Sequence, residues 1–163
     1  MKKEEKIYDV LKKLGIEYEL FEHEAVYTVE AAEEIDKKIG VKICKNLFLS
    51  TKKETEFYLL TMTGDKKFNT GKVSKQVGVP RMTFADAGHM EEFLDITPGS
   101  VSPLGLINDK EIKVKFLIDK DVLDMEKISV HPCINTVTIL IKTEDLINKI
   151  LPFCSHDYMS IEV

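Results

Sequence analysis

Among 163 residues there is a single arginine, Arg81. Base edges and phosphates are usually read by the arginine fork, so sequence-specific reading of a duplex is disfavoured, while point-charge contacts to a phosphate backbone remain open. Cysteine is scarce as well. Cys44, Cys133 and Cys154 are an odd number with no CxxC spacing, the pattern of reduced thiols in a cytoplasm rather than of a disulfide framework. No apolar run approaches the ~18 residues that a membrane span requires. The start, Met1-Lys2-Lys3-Glu4-Glu5-Lys6, mixes acids with lysines and leads into an amphipathic stretch, so no secretory apolar segment is read there. The motifs GxGxxG, GxxxxGK followed by Ser or Thr, GxSxG and HExxH are all missing, which withdraws support from dinucleotide, P-loop, serine-hydrolase and zincin chemistry. An enzyme built from what remains would work by positioning and electrostatics, with a lysine, main-chain donors and groups of the substrate itself.

What is present reads as one soluble domain spanning residues 1–163. Hydrophobic residues at 44% and charged residues at 31% suffice for an ordinary core, which excludes disorder and collagen-like chains. The net charge is −5, yet Lys66, Lys67, Lys72, Lys75 and Arg81 fall in a stretch without a single acid. Such a cluster is either a solvated face or a local site for a polyanion.

Ile7, Val10, Leu11 and Leu14 recur with helical spacing before Gly15, predicting a helix over residues 3–14. Ile16, Tyr18 and Leu20 alternate with glutamates and predict a short strand with its apolar side chains on one face. Thr28 is placed to cap a helix, acidic early and basic late, that Gly40 closes. Two β-rich segments, 41–51 and 56–62, flank Lys52-Lys53-Glu54-Thr55 as a hairpin. Asn69 caps a short helix to Val77, a short strand follows at residues 81–84, and Met90, Phe93 and Leu94 face inward from a helix over 86–94. Two prolines and two glycines within residues 98–105 predict a shaped loop without a regular element. Strands at 113–119, 128–131 and 136–142, a helix over 144–151 capped by Thr143 and a last strand at 158–163 complete the chain. Short connections outnumber helical crossovers. The expected fold is therefore α/β, with a mixed, largely antiparallel sheet wrapped by helices.

Lys45 shares a strand face with Ile43, Leu47 and Leu49. An ammonium in that row either snorkels outward at the rim or stands in a pocket against an anion or a polar substrate. Asn46 points to the opposite face. The loop from Pro98 to Gly105 is either a surface connection or a source of main-chain N–H groups for a carbonyl or developing oxyanion. His131, held extended by Pro132, is either a satisfied strand-end group or a pocket wall. His131-Pro132-Cys133 and Cys154-Ser155-His156 each set His and Cys two apart, but zinc sites normally show CxxC or HxxxH-type spacing, so no metal site is read.

In order and spacing, Lys45-Asn46-Leu47-Phe48-Leu49, Gly99-Ser100-Val101-Ser102-Pro103 and His131-Pro132 with Asn135 resemble the YbaK/ProX family. These are free-standing relatives of the editing domain inserted in bacterial prolyl-tRNA synthetase. The resemblance covers nearly the whole chain and implies a YbaK-like fold. The activity it implies is hydrolysis of the ester joining a wrong amino acid to the terminal adenosine of tRNA. The segment His131-Pro132-Cys133-Ile134-Asn135 is more similar to the alanine-directed ProX branch than to the cysteine-directed one.

Carried over residue by residue, the resemblance implies that Lys45 holds the terminal nucleotide and that Gly99 anchors the aminoacyl group and polarises its carbonyl. Asn46, Ser100, Pro103 and His131 are implied at the substrate, Pro103 as the shape of the loop and His131 as a wall limiting side-chain size. Lys66, Lys67, Lys72, Lys75 and Arg81 would guide the acceptor stem. Water attacks with the neighbouring ribose hydroxyl as helper, so no cofactor and no metal is implied. The partners are the tRNA acceptor end and prolyl-tRNA synthetase, with neither DNA nor membrane. Rival readings are a cysteinyl-tRNA deacylase, a non-catalytic accessory module of a synthetase, and a small-molecule binding domain unrelated to RNA.

Overall fold

The computed structural model describes residues 2–25, 34–35 and 37–163. Two sheets are present among the described residues. A three-stranded antiparallel sheet has the order β1 (Glu19–Glu22), β7 (Val137–Lys142), β6 (Lys127–Val130). A five-stranded mixed sheet has the order β4 (Thr83–Phe84), β2 (Cys44–Ser50), β3 (Phe57–Thr63), β5 (Val114–Asp119), β8 (Tyr158–Ile161). Its β4–β2–β3 half is antiparallel, and its β3–β5–β8 half is parallel. The expected mixed α/β class is borne out, with the strands divided between two sheets.

The larger core lies between the sheets. Cys44, Phe48, Leu59, Phe116 and Ile118 of the large sheet share it with Ile128, Val130, Ile139 and Ile141 of the small one. The helix α1 (Lys3–Lys13) adds Ile7 and Leu11 at its i and i+4 positions. On its other face the large sheet buries Leu49, Tyr58, Leu60, Met62 and Leu117 beneath Val73 of α2 (Thr70–Val77). Both faces of this sheet are thus covered, which is why β3 reads as a near-continuous apolar run instead of an alternation. The side chain of Asn69 caps α2 by accepting from the Lys72 N–H at 3.0 Å, as predicted.

The helix α3 (Ala87–Leu94) also forms as expected, capped by Asp86 and burying Met90 and Leu94. The hairpin turn is fixed by the Thr51 hydroxyl, which accepts from the N–H groups of Thr55 at 3.1 Å and Glu56 at 3.3 Å. A short helix α4 (Lys120–Leu123), not anticipated, turns the chain from β5 toward β6. The C-terminal helix α5 runs through Thr143–Asp145, Leu146–Ile150 and Leu151–Phe153, its middle turn in the wider π form. No helix among the described residues is long and apolar enough to cross a membrane.

Three expectations need correction. The strand read from Ile16, Tyr18 and Leu20 begins only at Glu19, and Leu20 is exposed. β1 is an edge strand, and Tyr18 instead stacks on Tyr8 of α1 with ring centroids 5.9 Å apart. The loop after α3 does contain a regular element, a 3-10 turn at Pro103–Asn108. Pro103 occupies its first turn, where the missing N–H costs nothing, and Ser102 caps it by accepting from the Leu104 N–H at 3.1 Å. Thr143 does not cap α5, because its hydroxyl donates to the Met125 carbonyl at 2.5 Å. The helix expected to start at Thr28 lies mostly outside the described residues. Residues 37–39 are helical, and Gly40 follows with φ +79°.

Candidate functional site

The start of β2, the end of β6 and the loop after α3 meet at one end of the two sheets. Between them lies a cavity of about 230 Å³ lined by Lys45, Asn46, Gly99, Val101, Ser129, His131 and Thr138, with Ile43, Cys44 and Val130 completing its wall. An adjoining lobe of about 210 Å³ shares Ile43, Gly99, His131 and Thr138 and adds His23, Ile35 and Asn135. The structure therefore brings together Lys45, Asn46, Gly99 and His131 from three separate stretches of sequence. Asn135 joins them.

Each group is held differently. Lys45 is half-buried and has no ion-pair partner among the described residues, so its charge is not spent on an internal acid. Asn46 lies opposite Thr61 in the ladder, and the Thr61 hydroxyl donates to Asn46 Oδ1 at 2.5 Å. This fixes the amide and leaves its NH₂ without an acceptor among the described residues. Gly99 has φ +94°, a conformation that side-chain-bearing residues rarely adopt. Asn135 Nδ2 would lie 3.6 Å from a Cβ built there. The Gly99 N–H has no acceptor among the described residues and is free to meet a carbonyl oxygen.

His131 Nδ1 donates to the Val137 carbonyl at 2.9 Å. Burial pushes its imidazole below the usual histidine pKa, with the neighbouring His23 adding to the effect and the hydrogen bond to Val137 opposing it. The neutral ring then carries its lone pair on Nε2, which has no partner among the described residues. The His23 ring lies 6.3 Å from that of His131, centroid to centroid. Its Nδ1 donates to the Glu24 carbonyl at 2.8 Å, and its Nε2 shares a hydrogen bond with the Thr138 hydroxyl at 2.8 Å.

Comparison with known families and structures shows the family to which the chain belongs. Residues 23–149 match the model of the aminoacyl-tRNA editing domain. The chain belongs to this aminoacyl-tRNA editing family. It is 34% identical to the prolyl-tRNA editing protein ProX of Acetoanaerobium sticklandii, over 94% of this chain and 93% of that one. It is 35% identical to prolyl-tRNA synthetase associated domain-containing protein 1 of Bos taurus, over 82% and 80%. A solved structure of a proposed trans-editing enzyme for prolyl tRNA synthetase superposes with a TM-score of 0.74 at 18% identity, over 100% of this chain and 98% of that one, and so shares its fold.

Within this editing fold the remaining sequence candidates take other positions. Ser100 and Pro103 are buried and do not line the cavity: Ser100 closes the loop from its N–H to the Thr97 carbonyl at 3.2 Å, and Pro103 starts the 3-10 turn. Lys66 is not a free cation, since it pairs with Asp119 at 2.9 Å and Asp121 at 2.6 Å. The acid-free stretch of sequence is thus partly neutralised by the end of β5, while Lys67, Lys72, Lys75 and Arg81 stay exposed.

Of the two His–Cys pairs, His156 stays against Cys154, its Nδ1 2.8 Å from the Cys154 carbonyl. His156 binds Asp109, 47 residues away, with Nε2 to Oδ2 at 2.9 Å, and Cys154 Sγ donates to the Ile150 carbonyl at 3.2 Å. Burial pushes the Cys133 thiol up to about 12, so it is neither a nucleophile nor a ready metal ligand at neutral pH. The other grouping of potential ligands among the described residues, Glu54, Asp86 and His89, sits at the hairpin end of the large sheet, away from the cavity.

Sequence reasoning missed His23, Ser129 and Thr138. Thr138 and Ser129 are polar residues that interrupt apolar strands, and that interruption was the signal available for them. For His23 no local signal exists, because it reaches the cavity only through the pairing of β1 with β7.

Proposed function

We propose that this chain hydrolyses the ester between a mismatched amino acid and the terminal adenosine of tRNA, with alanine on proline tRNA as its substrate. Water attacks the ester carbonyl carbon, the bond from that carbon to the ribose oxygen breaks, and free alanine and uncharged tRNA leave. Lys45 sits at the mouth of the cavity as a fixed positive charge for the terminal phosphate. The Gly99 N–H is the donor for the carbonyl oxygen as it gains charge, and the neighbouring ribose hydroxyl helps the water. The observation that carries this reading is Lys45, with no ion-pair partner among the described residues, in one small cavity with Gly99, whose N–H has no acceptor among them, in an editing-family chain.

Discrimination follows from size. A synthetase pocket built for proline cannot firmly reject the smaller alanine, whereas a small second pocket rejects proline, as in double-sieve editing. His131, Thr138, Ile43 and Asn135 bound the inner lobe where the side chain would enter. The relatives' names support tRNA and prolyl-tRNA synthetase as partners, with the reaction in the cytoplasm where translation occurs.

The test is deacylation of alanyl-, cysteinyl- and prolyl-tRNA(Pro) by the wild-type chain. Loss of the alanyl ester with the prolyl ester spared supports the reading. Preference for the cysteinyl ester moves the chain to a thiol-directed branch, and turnover of none of the three ends the deacylase reading.

A further inference from the structure

The face of the large sheet that carries Lys45 also carries a largely exposed aromatic side chain. Lys45, Leu47 and Leu49 share that face, and Phe84 of β4 lies directly opposite Leu49 in the antiparallel ladder, so its ring stands on the same side. Phe84 is 63% exposed, the largest value among the exposed large hydrophobic residues described. Its aromatic contact is Phe68, 5.9 Å away and edge-on, which leaves most of the ring open. Phe68 itself packs against the core beneath α2. Exposed Lys67 precedes Phe68 in the chain, and exposed Arg81 lies three residues before Phe84. The nearby carboxylate of Asp86 is engaged, accepting from the His89 N–H and lying 2.8 Å from its Nδ1.

An open aromatic ring is what a nucleic-acid base stacks on, because every base has a π-face, and exposed cations on the same stretch of chain suit the phosphates of the backbone. The ring is also at the right remove from the cavity. Among the described residues β4 pairs with β2 at Leu49 and Ser50, and the cavity is lined by Lys45 and Asn46 at the other end of the same strand. From Lys45 to Leu49, four residues at ~3.3 Å each give a path of about 13 Å, the reach of a few nucleotides.

We propose that Phe84, backed by Phe68 and with the exposed Lys67 and Arg81 close to the two rings in sequence, is a stacking platform for an unpaired base of the tRNA 3′ tail a few nucleotides before the terminal adenosine. The inference rests on the editing reading, which puts that adenosine at Lys45. The platform recognises a base face, without reading its edge, and so adds affinity and register for the tail rather than identity. The lone arginine of the chain then contributes a phosphate contact.

The experiment measures binding of a fluorescent acceptor-stem hairpin carrying its unpaired 3′ tail, and of the same hairpin trimmed of the tail. Wild type should bind the tailed RNA more tightly than the trimmed one. Phe84→Ala should weaken the tailed RNA about tenfold, within the range that base–aromatic stacking supplies, and leave the trimmed RNA alone. Phe84→Tyr should restore the tailed affinity, which also guards against a folding defect. Because stacking releases no counterions, the loss should be the same at low and high salt, whereas Lys67→Ala should flatten the salt dependence.

Equal binding of the tailed RNA by wild type and Phe84→Ala overturns the platform, as does an equal loss on both RNAs. Deacylation is scored separately on wild type. If wild type turns over esters while Phe84→Ala binds normally, the platform fails and the editing reading stands. If wild type turns over none while the tail-specific loss persists, the platform stands and the editing reading fails.

Discussion

Two buried or partly buried histidines, toward opposite ends of the large sheet, are held by this fold in contrasting ways. His156 has both ring nitrogens engaged, Nδ1 at 2.8 Å from the Cys154 carbonyl and Nε2 at 2.9 Å from Asp109. Burial alone would push its pKa down, but those two hydrogen bonds and the Asp109 charge outweigh it and raise the ring to about 9. Asp109 also accepts from the N–H groups of Lys113 and Val114, so the pair clamps the start of β5 to the chain entering β8. His131 has one nitrogen engaged and its pKa pushed below the usual value. One histidine is a charged and satisfied staple; the other is neutral and keeps a lone pair toward a cavity. The difference lies in the partners each ring finds, since the residue type is the same.

Breaking each end should therefore have different consequences. The largest effect expected is from Lys45→Ala, which removes the unpaired charge at the cavity and should lower alanyl ester hydrolysis at least a hundredfold, read by release of labelled alanine. Next is the staple. His156→Ala leaves the Asp109 carboxylate buried without its charged partner and should cost about 3 kcal/mol of stability, read by chemical denaturation.

Gly99→Ala forces a side chain into a left-handed conformation at a cost of about 1–3 kcal/mol and shifts the loop. Hydrolysis should fall about tenfold with a smaller change in melting temperature. His131→Ala should widen the inner lobe, raising prolyl relative to alanyl hydrolysis by about tenfold, in line with what one group of extra space is worth.

The smallest effect sharpens the comparison most. The folded pKa of His156, about 9, lies above its ordinary value of 6.5, so its stabilisation is fully present below that value and is lost as pH rises through about 9. Asp109 is shifted the other way, so its stabilisation is present above its ordinary 3.8 and fades as pH falls through its lowered folded value. His131 has the opposite sign to His156: its folded value is depressed, so the fold weakens as pH drops below the ordinary histidine value. Melting curves from pH 5 to 10 should show the alkaline slope shrink in His156→Ala, with the part above pH 9 that the raised Cys133 thiol supplies remaining, and the mild acid slope shrink in His131→Ala.

Much of the site end was legible in the sequence, and most of the staple end was not. The hairpin around Glu54, the Asn69 cap and the helix from Ile7 to Leu11 depend on neighbours a few residues apart, which local patterns report directly. Lys45, Asn46, Gly99 and His131 were found through the order and spacing of short motifs, and the cavity joins them. His23, Ser129 and Thr138 escaped because the pairing of β1 with β7 and the approach of the two sheets create their environment. The Asp109–His156 pair escaped for the same reason, since 47 residues separate two groups that only the parallel β5–β8 arrangement brings together. The neutralisation of Lys66 by Asp119 and Asp121 shows the converse hazard, that a charge cluster in sequence need not be one in space.

The central claim is that the cavity beside Lys45 does the chemistry while the His156 end only holds the fold. The most direct test runs wild type, Lys45→Ala and His156→Ala side by side on alanyl-tRNA(Pro), each with its melting curve at neutral pH. The account predicts a Lys45→Ala chain that melts like wild type and leaves the ester intact, and a His156→Ala chain that melts earlier yet still cleaves it. A Lys45→Ala chain that cleaves at the wild-type rate, or a folded His156→Ala chain that does not cleave, would contradict it.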